Sequence, residues 1–409
     1  MRVEKLSIEN FRGIGKIELE LPDSRPVVFI GTNGSGKSSV LDALHLILDD
    51  LDSHLRHLAN TPTSLVKEGL RVGTSSATIR ADVDIETNKL TWILSSKVTQ
   101  NNVAGRSQAY SKSGAITIYY PTIRRVHKIP LFTDQFDRDP LWALEGADIS
   151  FTAIDEIDFH TFFLWLRYRE DKENEQRVDD SQYRDLRLQA VRQAIEGVMP
   201  QFANLRVRRN PDRLMLLKKQ GETDTEFNLM QLSDGEKGVF ALIGDIARRL
   251  AIANPNMDNP LNGIAEVLID EIELHLHPAW QRKIVPALVE TFPNCQFFLT
   301  THSPQVLSEI EDAHIFLLQS TDPEHGITAT KIEHLYGRDS NRILEDVMGV
   351  DERPHIVKEQ LKELFRIIDA GDLKAARKKR ADLEKMLYSQ EPDFAMADVL
   401  MHRLEMRGK

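Results

Sequence analysis

The chain has 409 residues, a formal net charge of −11 and 41% hydrophobic residues. Those values allow two or three modules with ordinary cores, and they exclude a surface coated in basic residues for nucleic acid, leaving room for local basic patches only. Cys295 is the only cysteine, so no disulfide can close within one chain, which suits a reducing cytosol. The opening MRVEKLSIENFRG alternates polar and apolar residues and does not read as a signal peptide, and no run approaches the roughly 18 apolar residues of a membrane span. A cytoplasmic protein without a membrane segment is expected.

In chain order, RVEKLSIENF and KIELEL alternate as strands; then come a buried strand, PVVFIG, a loop and a helix from Lys37 to about Leu51. Between Ser76 and Val98 the period drops to two, with Ile79, Ala81, Val83 and Ile85, then Leu90, Trp92 and Leu94 across an ETN turn, which predicts an antiparallel hairpin. The polar stretch NNVAGRSQAYSKSGA is a loop and ITIYYPTI another strand. Residues 151–177 and 181–200 read as helices, the second closed by Gly197 and Pro200. Short strands flank NPD at LRVRR and RLMLLKK. A turn, the helix VFALIGDIARRLAIA, the apolar strand IAEVLID, a helix after Pro278 and the strand CQFFLT complete an α/β pattern. After about Leu344 the chain is helical. Val357, Leu361, Leu364, Phe365 and Ile368 share one face, DAGD breaks that helix, and further helices carry Leu373 to Leu387 and Phe394 to Leu404. The expected modules are 1–134, an N-terminal lobe with a β subdomain; 135–200, a helical insert; 201–345, a C-terminal lobe; and 346–409, a helical docking or oligomerisation module.

GTNGSGKS, Gly31 to Ser38, follows a buried strand and precedes a helix, which is the context a phosphate loop requires. Its glycines let several N–H groups point inward at phosphate, Lys37 supplies a point charge, and the Ser38 hydroxyl is a magnesium ligand. The candidate nucleotide-binding residues are Gly31, Thr32, Asn33, Gly34, Ser35, Gly36, Lys37, Ser38 and Ser39. EVLIDEIE ends an apolar strand on Asp270, a candidate for holding Mg²⁺, and Glu271, a candidate general base for an attacking water. His302 stands just past another buried strand, where in a nucleotide site it could contact the terminal phosphate and the water; taken alone, the position reads by default as a capping or solvated histidine. QLSDGEKG places Ser233 before a helix, an anion site by its backbone N–H groups and helix dipole.

Together these motifs resemble the heads of the ABC-type ATPases related to SMC, RecF and Rad50 proteins, and they span residues 1–304 in order. NFRG follows the first strand, GTNGSGKSS matches the Walker A loop, LSDGEK the signature, LIDEIELHLHP the Walker B with its D-loop, and TTHSP the switch. The resemblance implies an α/β ABC-type P-loop head with an antiparallel β subdomain, a helical insert and a C-terminal helical hairpin. It implies that ATP and Mg²⁺ are bound, that Ser233, Gly235 and Glu236 cap the γ-phosphate held by a second copy of the chain, that His302 is the switch, and that Arg12 reaches the nucleotide, a surface role being the alternative. Only 195 residues separate Lys37 from Ser233, too few for the long coiled coil of SMC and Rad50 heads. No glutamine is convincingly placed for a Q-loop, Gln100 and the stretch after YYPT being candidates.

Three other stretches carry weaker signals. HLH, His275 to His277, fits the D-loop better than a metal pair, since no third ligand stands at useful spacing. RKKR, Arg377 to Arg380, is either a solvated helix face or a nucleic-acid contact. DVD, Asp82 to Asp84, is explained by surface alternation in the hairpin, and no D-x-D of a Toprim nuclease follows the switch. YYPTIRRV, FFLWLRYREDKENE and the tail from YGRDSNRILEDVMGVDERP resemble the PtuA ATPases of Septu-type anti-phage systems, including retron-linked versions. That resemblance implies a regulatory ATPase working with a PtuB-like HNH endonuclease, and in retron-linked versions a reverse transcriptase and its RNA–DNA product. The alternative function is a RecF- or SMC-like DNA-repair head that binds DNA directly.

Overall fold

A computed structural model describes residues 1–55, 69–85, 88–96, 116–122, 125–126, 156–157, 159–219, 224–322, 326–387 and 391–407. The chain divides into two units, Met1–Ser340 and Asn341–Lys409.

The first unit is built on a ten-stranded sheet. Its antiparallel flank holds β1 (Arg2–Phe11), β2 (Ile14–Glu20), β4 (Thr78–Ile85) and β5 (Asn88–Ser95); its parallel half holds β3 (Val27–Ile30), β6 (Ile116–Tyr120), β12 (Ala265–Ile269), β13 (Cys295–Thr300) and β14 (His314–Asp322). The strand order is β5-β4-β1-β2-β15-β14-β3-β13-β12-β6, with β15 (Gly326–Ile332) antiparallel to β14. β3, β12 and β13 are buried along their whole lengths, as strands covered on both faces must be. The flank alternates instead. Ile79, Ala81, Val83 and Ile85 of β4 point into the core with Leu90, Trp92 and Leu94 of β5, directly opposite in the expected hairpin register. Helix α1 (Lys37–Leu55) covers this core, and Trp92 Nε1 donates to Asp50 Oδ2 of that helix at 2.9 Å.

A second layer holds a three-stranded antiparallel sheet, β9 (Phe202–Arg208), β10 (Arg213–Lys218) and β11 (Thr225–Asn228), with helices α2 (Phe159–Asp179), α3 (Leu186–Val198) and α4 (Asp234–Ala253). Buried Glu170 and Glu173 of α2 pair with Arg192 of α3. α4 is fastened to the large sheet by Tyr120 of β6, whose hydroxyl donates at 2.9 Å to Asp245 Oδ2. Arg248 and Arg249 also donate to Asp245, so three donors satisfy a buried carboxylate. The short helices α5 (Pro278–Gln281), α6 (Ile284–Thr291) and α7 (Pro304–Ser308) complete the unit.

The α/β class with an antiparallel β flank stands as expected, with two differences in detail. The hairpin β14–β15 lies beyond CQFFLT, where the expected α/β pattern ends, and β14 pairs with the central β3. The first helix of the insert starts at Phe159, and Glu156–Ile157 instead form β8 beside β7 (Arg125–Val126). The loop 101–115 and most of 135–158 lie outside the described residues, as does Gln100.

The second unit contains all but the first residue of α8 (Ser340–Asp346), then α9 (His355–Asp369), α10 (Leu373–Met386) and α11 (Pro392–Arg407). Leu361, Leu364, Ile368, Ala376, Leu383, Phe394, Ala397 and Met401 form its own core, so the expected hairpin is a three-helix packing with a third helix closing it. The basic run is largely ion-paired inside this unit: Arg377 with Glu405, Lys379 with Glu363, and Arg380 with Asp398 and Glu384. No described helix is long and apolar enough to cross a membrane.

Candidate nucleotide-binding site

β3, β6, β12 and β13 are adjacent and parallel, so their carboxyl ends open on one edge of the sheet, where open α/β sheets bind ligands. The residues after each strand meet there.

After β3 the chain turns through Gly31 to Gly36 into α1. Gly31 has φ +147°, and a Cβ there would stand 2.4 Å from the Leu318 carbonyl oxygen and 2.5 Å from Ser35 Oγ. Gly36, at φ +92°, would drive a Cβ to within 2.5 Å of Ile327 Cδ1. Both positions therefore admit only glycine. Thr32, Asn33 and Gly34 form the exposed tip; Ser38 is exposed, Ser39 half-buried, and Ser35 Oγ is buried without a hydrogen-bond partner. The first turn of α1 carries no acidic residue, leaving its positive end to an incoming anion. Lys37 is only 6% exposed, and its Nζ donates to the Gly31 and Thr32 carbonyls at 3.0 and 3.1 Å. Burial lowers its pKa, opposed by Asp270, Glu271 and Glu273. Two of three ammonium donors are thus used on the loop itself, holding the side chain across the cradle.

After β12 comes Asp270, buried, its N–H donating to the Tyr120 carbonyl at 2.9 Å. Asp270 Oδ2 accepts from Ser38 Oγ at 2.6 Å and from Thr122 Oγ1, just beyond β6, at 2.5 Å. Its other oxygen accepts from Thr300 Oγ1 of β13. Glu271 has the left-handed φ of +49°, costly for a side chain with a Cβ. It is held there by Thr300, whose hydroxyl accepts the Glu271 N–H at 2.7 Å while its carbonyl accepts that of Ile272.

After β13, the Thr301 hydroxyl donates to Glu273 Oε2 at 2.7 Å and the His302 N–H donates to Glu273 Oε1. Glu273 thereby fixes the loop that carries His302. Burial, then the Lys37 charge, hold the His302 imidazole below the ordinary histidine value, so it is neutral at pH 7 and can both donate and accept.

Lys37, Ser38, Asp270, Glu271 and His302 are therefore brought together. Arg12 stands nearby but is committed elsewhere: its guanidinium pairs with Asp42 of α1 and lies over the Phe11 ring, and Asp42 also accepts from the Tyr119 hydroxyl at 2.6 Å. Ser233, Gly235 and Glu236 are not brought to this loop. Ser233 is the N-cap of α4 in a reciprocal capping box with Glu236: the Glu236 N–H donates to Ser233 Oγ at 3.3 Å, and the Ser233 N–H to Glu236 Oε2 at 3.0 Å. A Cβ on Gly235 would lie 2.8 Å from the His275 carbonyl oxygen, so this turn packs against the stretch that follows Glu273. Among the described residues no hydrogen bond or ion pair joins these three to Gly31–Ser39. His277 caps α5 through Nδ1, which accepts the Ala279 N–H.

Thr122, Thr300 and Glu273 were missed in the sequence. Thr300 and Glu273 sit inside recognised motifs, FFLTTHSP and DEIE, and the hydroxyl of Thr122 follows YYP, so each had a local signal but no visible partner.

A phosphate loop at the mouth of a parallel sheet, with a carboxylate pair on the next strand but one, defines a P-loop ATPase head. Residues 27–308 match the family described as "AAA domain, putative AbiEii toxin, Type IV TA system", and the chain belongs to it. It is similar to "Retron Ec83 probable ATPase" of Escherichia coli, 28% identical over 87% of this chain and 77% of that protein, and to "Retron Vc95 probable ATPase" of Vibrio cholerae, 26% identical over 90% and 82%. "Septu protein PtuA" of Bacillus thuringiensis is 23% identical over 95% of each chain. Among solved structures, the SMC head domain from Thermotoga maritima superposes with a TM-score of 0.45 at 14% identity, over 82% of this chain and 100% of that one.

Proposed function

We propose that this chain binds and slowly hydrolyses ATP with Mg²⁺ between two copies of itself, as the regulatory ATPase of an anti-phage defence complex of the retron or Septu kind. The observation that carries the reading is the meeting of Lys37, Ser38, Asp270 and Glu271 at one sheet edge, while the Ser233 cap makes no bond to that loop.

Mg²⁺ suits the donors present. Ser38 Oγ is a hard oxygen that would ligate the ion, and Asp270 Oδ2, 2.6 Å behind it, would act on the ion through its water shell, beside an anion cradle with a buried orphan hydroxyl on Ser35. When bound, Mg²⁺ neutralises phosphate charge and polarises the transferring phosphoryl group. The chain's own residues do the rest. The loop amides and the α1 terminus orient the phosphates, Lys37 meets their charge, and Glu271 accepts the proton of the attacking water. His302, neutral, is placed to hydrogen-bond that water or the γ-phosphate. Ser233 and the positive end of α4 serve the phosphate bound by the second copy, each charge-assisted bond contributing about 1.5–3 kcal/mol. Loss of the γ-phosphate removes their acceptor and releases the pair.

The names of the retron and Septu relatives support a role in a system of that kind; the separate PtuB-like HNH nuclease and, in a retron-linked version, a reverse transcriptase and its RNA–DNA product are partners proposed from the resemblance to PtuA ATPases. The helical unit from Asn341 onward is proposed as a docking or oligomerisation module. The DNA-repair reading has less behind it, because Arg377, Lys379 and Arg380 are spent on carboxylates of their own unit.

The test is complementation. Lys37→Ala should lose ATP binding, and Ser233→Arg should bind ATP but not support its neighbour. Mixed, they leave one intact composite site per mixed dimer, so ATPase activity should return in part. Failure to recover at any mixing ratio refutes the composite site.

A further inference from the structure

Asp270 Oδ2 is shared by two hydroxyls, Ser38 Oγ at 2.6 Å and Thr122 Oγ1 at 2.5 Å. They come from different elements, Ser38 from the first turn of α1 and Thr122 from the loop after β6, and they converge on one atom of a buried carboxylate. Thr300 already satisfies the other oxygen, Oδ1. Thr122 is only half-buried, so its hydroxyl is not sealed in the core; it stands at the mouth of the sheet with Ser38. A hydroxyl that donates its proton to a carboxylate keeps its lone pairs, and so can face a cation while the carboxylate orients it from behind.

We infer that Thr122 is a second hydroxyl ligand for the nucleotide-bound Mg²⁺, paired with Ser38, with Asp270 orienting both as their shared acceptor. The inference rests on the nucleotide reading above. Among the described residues β6 is the edge strand of the sheet, next to β12, and its position is fixed by parallel pairing that sets Tyr120 beside Ile269, the residue before Asp270. The hydroxyl therefore reaches the site from the side opposite the phosphate loop. Pro121, immediately before it, limits the backbone freedom of this short exit.

The experiment measures binding of ATP to the full chain by fluorescence competition, in Mg²⁺ and again in EDTA, for wild type, Thr122→Val and Thr122→Ser, with melting of the unliganded chain as the check on folding. Thr122→Val should weaken binding in Mg²⁺ about tenfold and leave binding in EDTA unchanged, and Thr122→Ser should restore it. Unchanged affinity of Thr122→Val in Mg²⁺ overturns the assignment, and so does an equal loss in both conditions, which would make Thr122 a prop for the loop. If Thr122→Val melts early, Thr122→Ser against Thr122→Ala at a lower temperature gives the same comparison, and failure of Ser to differ from Ala overturns it. Wild type that binds no ATP in either condition, like Lys37→Ala, refutes the nucleotide reading itself.

Discussion

Thr300→Val is the sharpest perturbation of the site, because it keeps the side-chain volume and removes one oxygen with two jobs. That oxygen accepts the Glu271 N–H at 2.7 Å and donates to Asp270 Oδ1. Thr300 is 0% exposed, so water cannot replace it. A neutral hydrogen bond contributes about 1 kcal/mol and one to a charged group about 1.5–3, so the expected loss is about 2.5–4 kcal/mol. Glu271 makes the loss local, since its left-handed φ of +49° is held from this side by Thr300. Urea unfolding followed by tryptophan fluorescence isolates the first unit, because buried Trp92 and Trp165 lie in it and no tryptophan occurs after residue 340. Thr300→Ser should recover most of the loss. ATP should still bind through Lys37 and the loop, with hydrolysis reduced because the Glu271 carboxylate is no longer fixed. A shift below about 0.5 kcal/mol, or a serine variant as weak as the valine one, would refute the bridging role.

Glu273→Gln offers one acceptor where the carboxylate offered two, so either the Thr301 hydroxyl or the His302 N–H loses its partner; ATP affinity should hold while steady-state turnover falls roughly tenfold, the effect of about 1.4 kcal/mol. Glu266 is fully buried and its carboxyl is pushed up to about 7, chiefly by burial, the Met1 ammonium opposing. An acid whose folded pKa exceeds its unfolded one binds more protons when folded, so stability is present below pH 4.5 and falls as pH rises toward 7. Glu266→Gln should flatten that slope in denaturation measured from pH 4.5 to 8, gaining about 3 kcal/mol at the alkaline end. Leu364→Ala, in the core of the helical unit, should cost that unit about 2–5 kcal/mol, seen in its helical circular dichroism; ATP binding should persist while copurification of an HNH nuclease or higher assembly is lost.

What the sequence determined by itself is what contiguous residues can do. The phosphate loop needs glycines, a lysine and a serine in fixed order between a strand and a helix, and Gly31 to Ser38 supply them without help from elsewhere. The hairpin register of β4 and β5 followed from alternation, because cross-strand partners on either side of one turn are set by period and turn alone. The helical faces of the last 65 residues were legible for the same reason, although the third helix that closes their core shows only as a periodic segment until it is packed. Tertiary structure decided every contact between elements far apart in the chain. Ser38 and Thr122 lie 232 and 148 residues from the aspartate they share, and nothing in DEIE says which hydroxyls face it. That was settled by the strand order β3-β13-β12-β6, in which strands distant in sequence become neighbours. The charge of RKKR was open in the sequence for a related reason: whether a basic run is free depends on which carboxylates the neighbouring helices turn toward it, and Glu405, Glu363 and Asp398 do so only once the three helices pack.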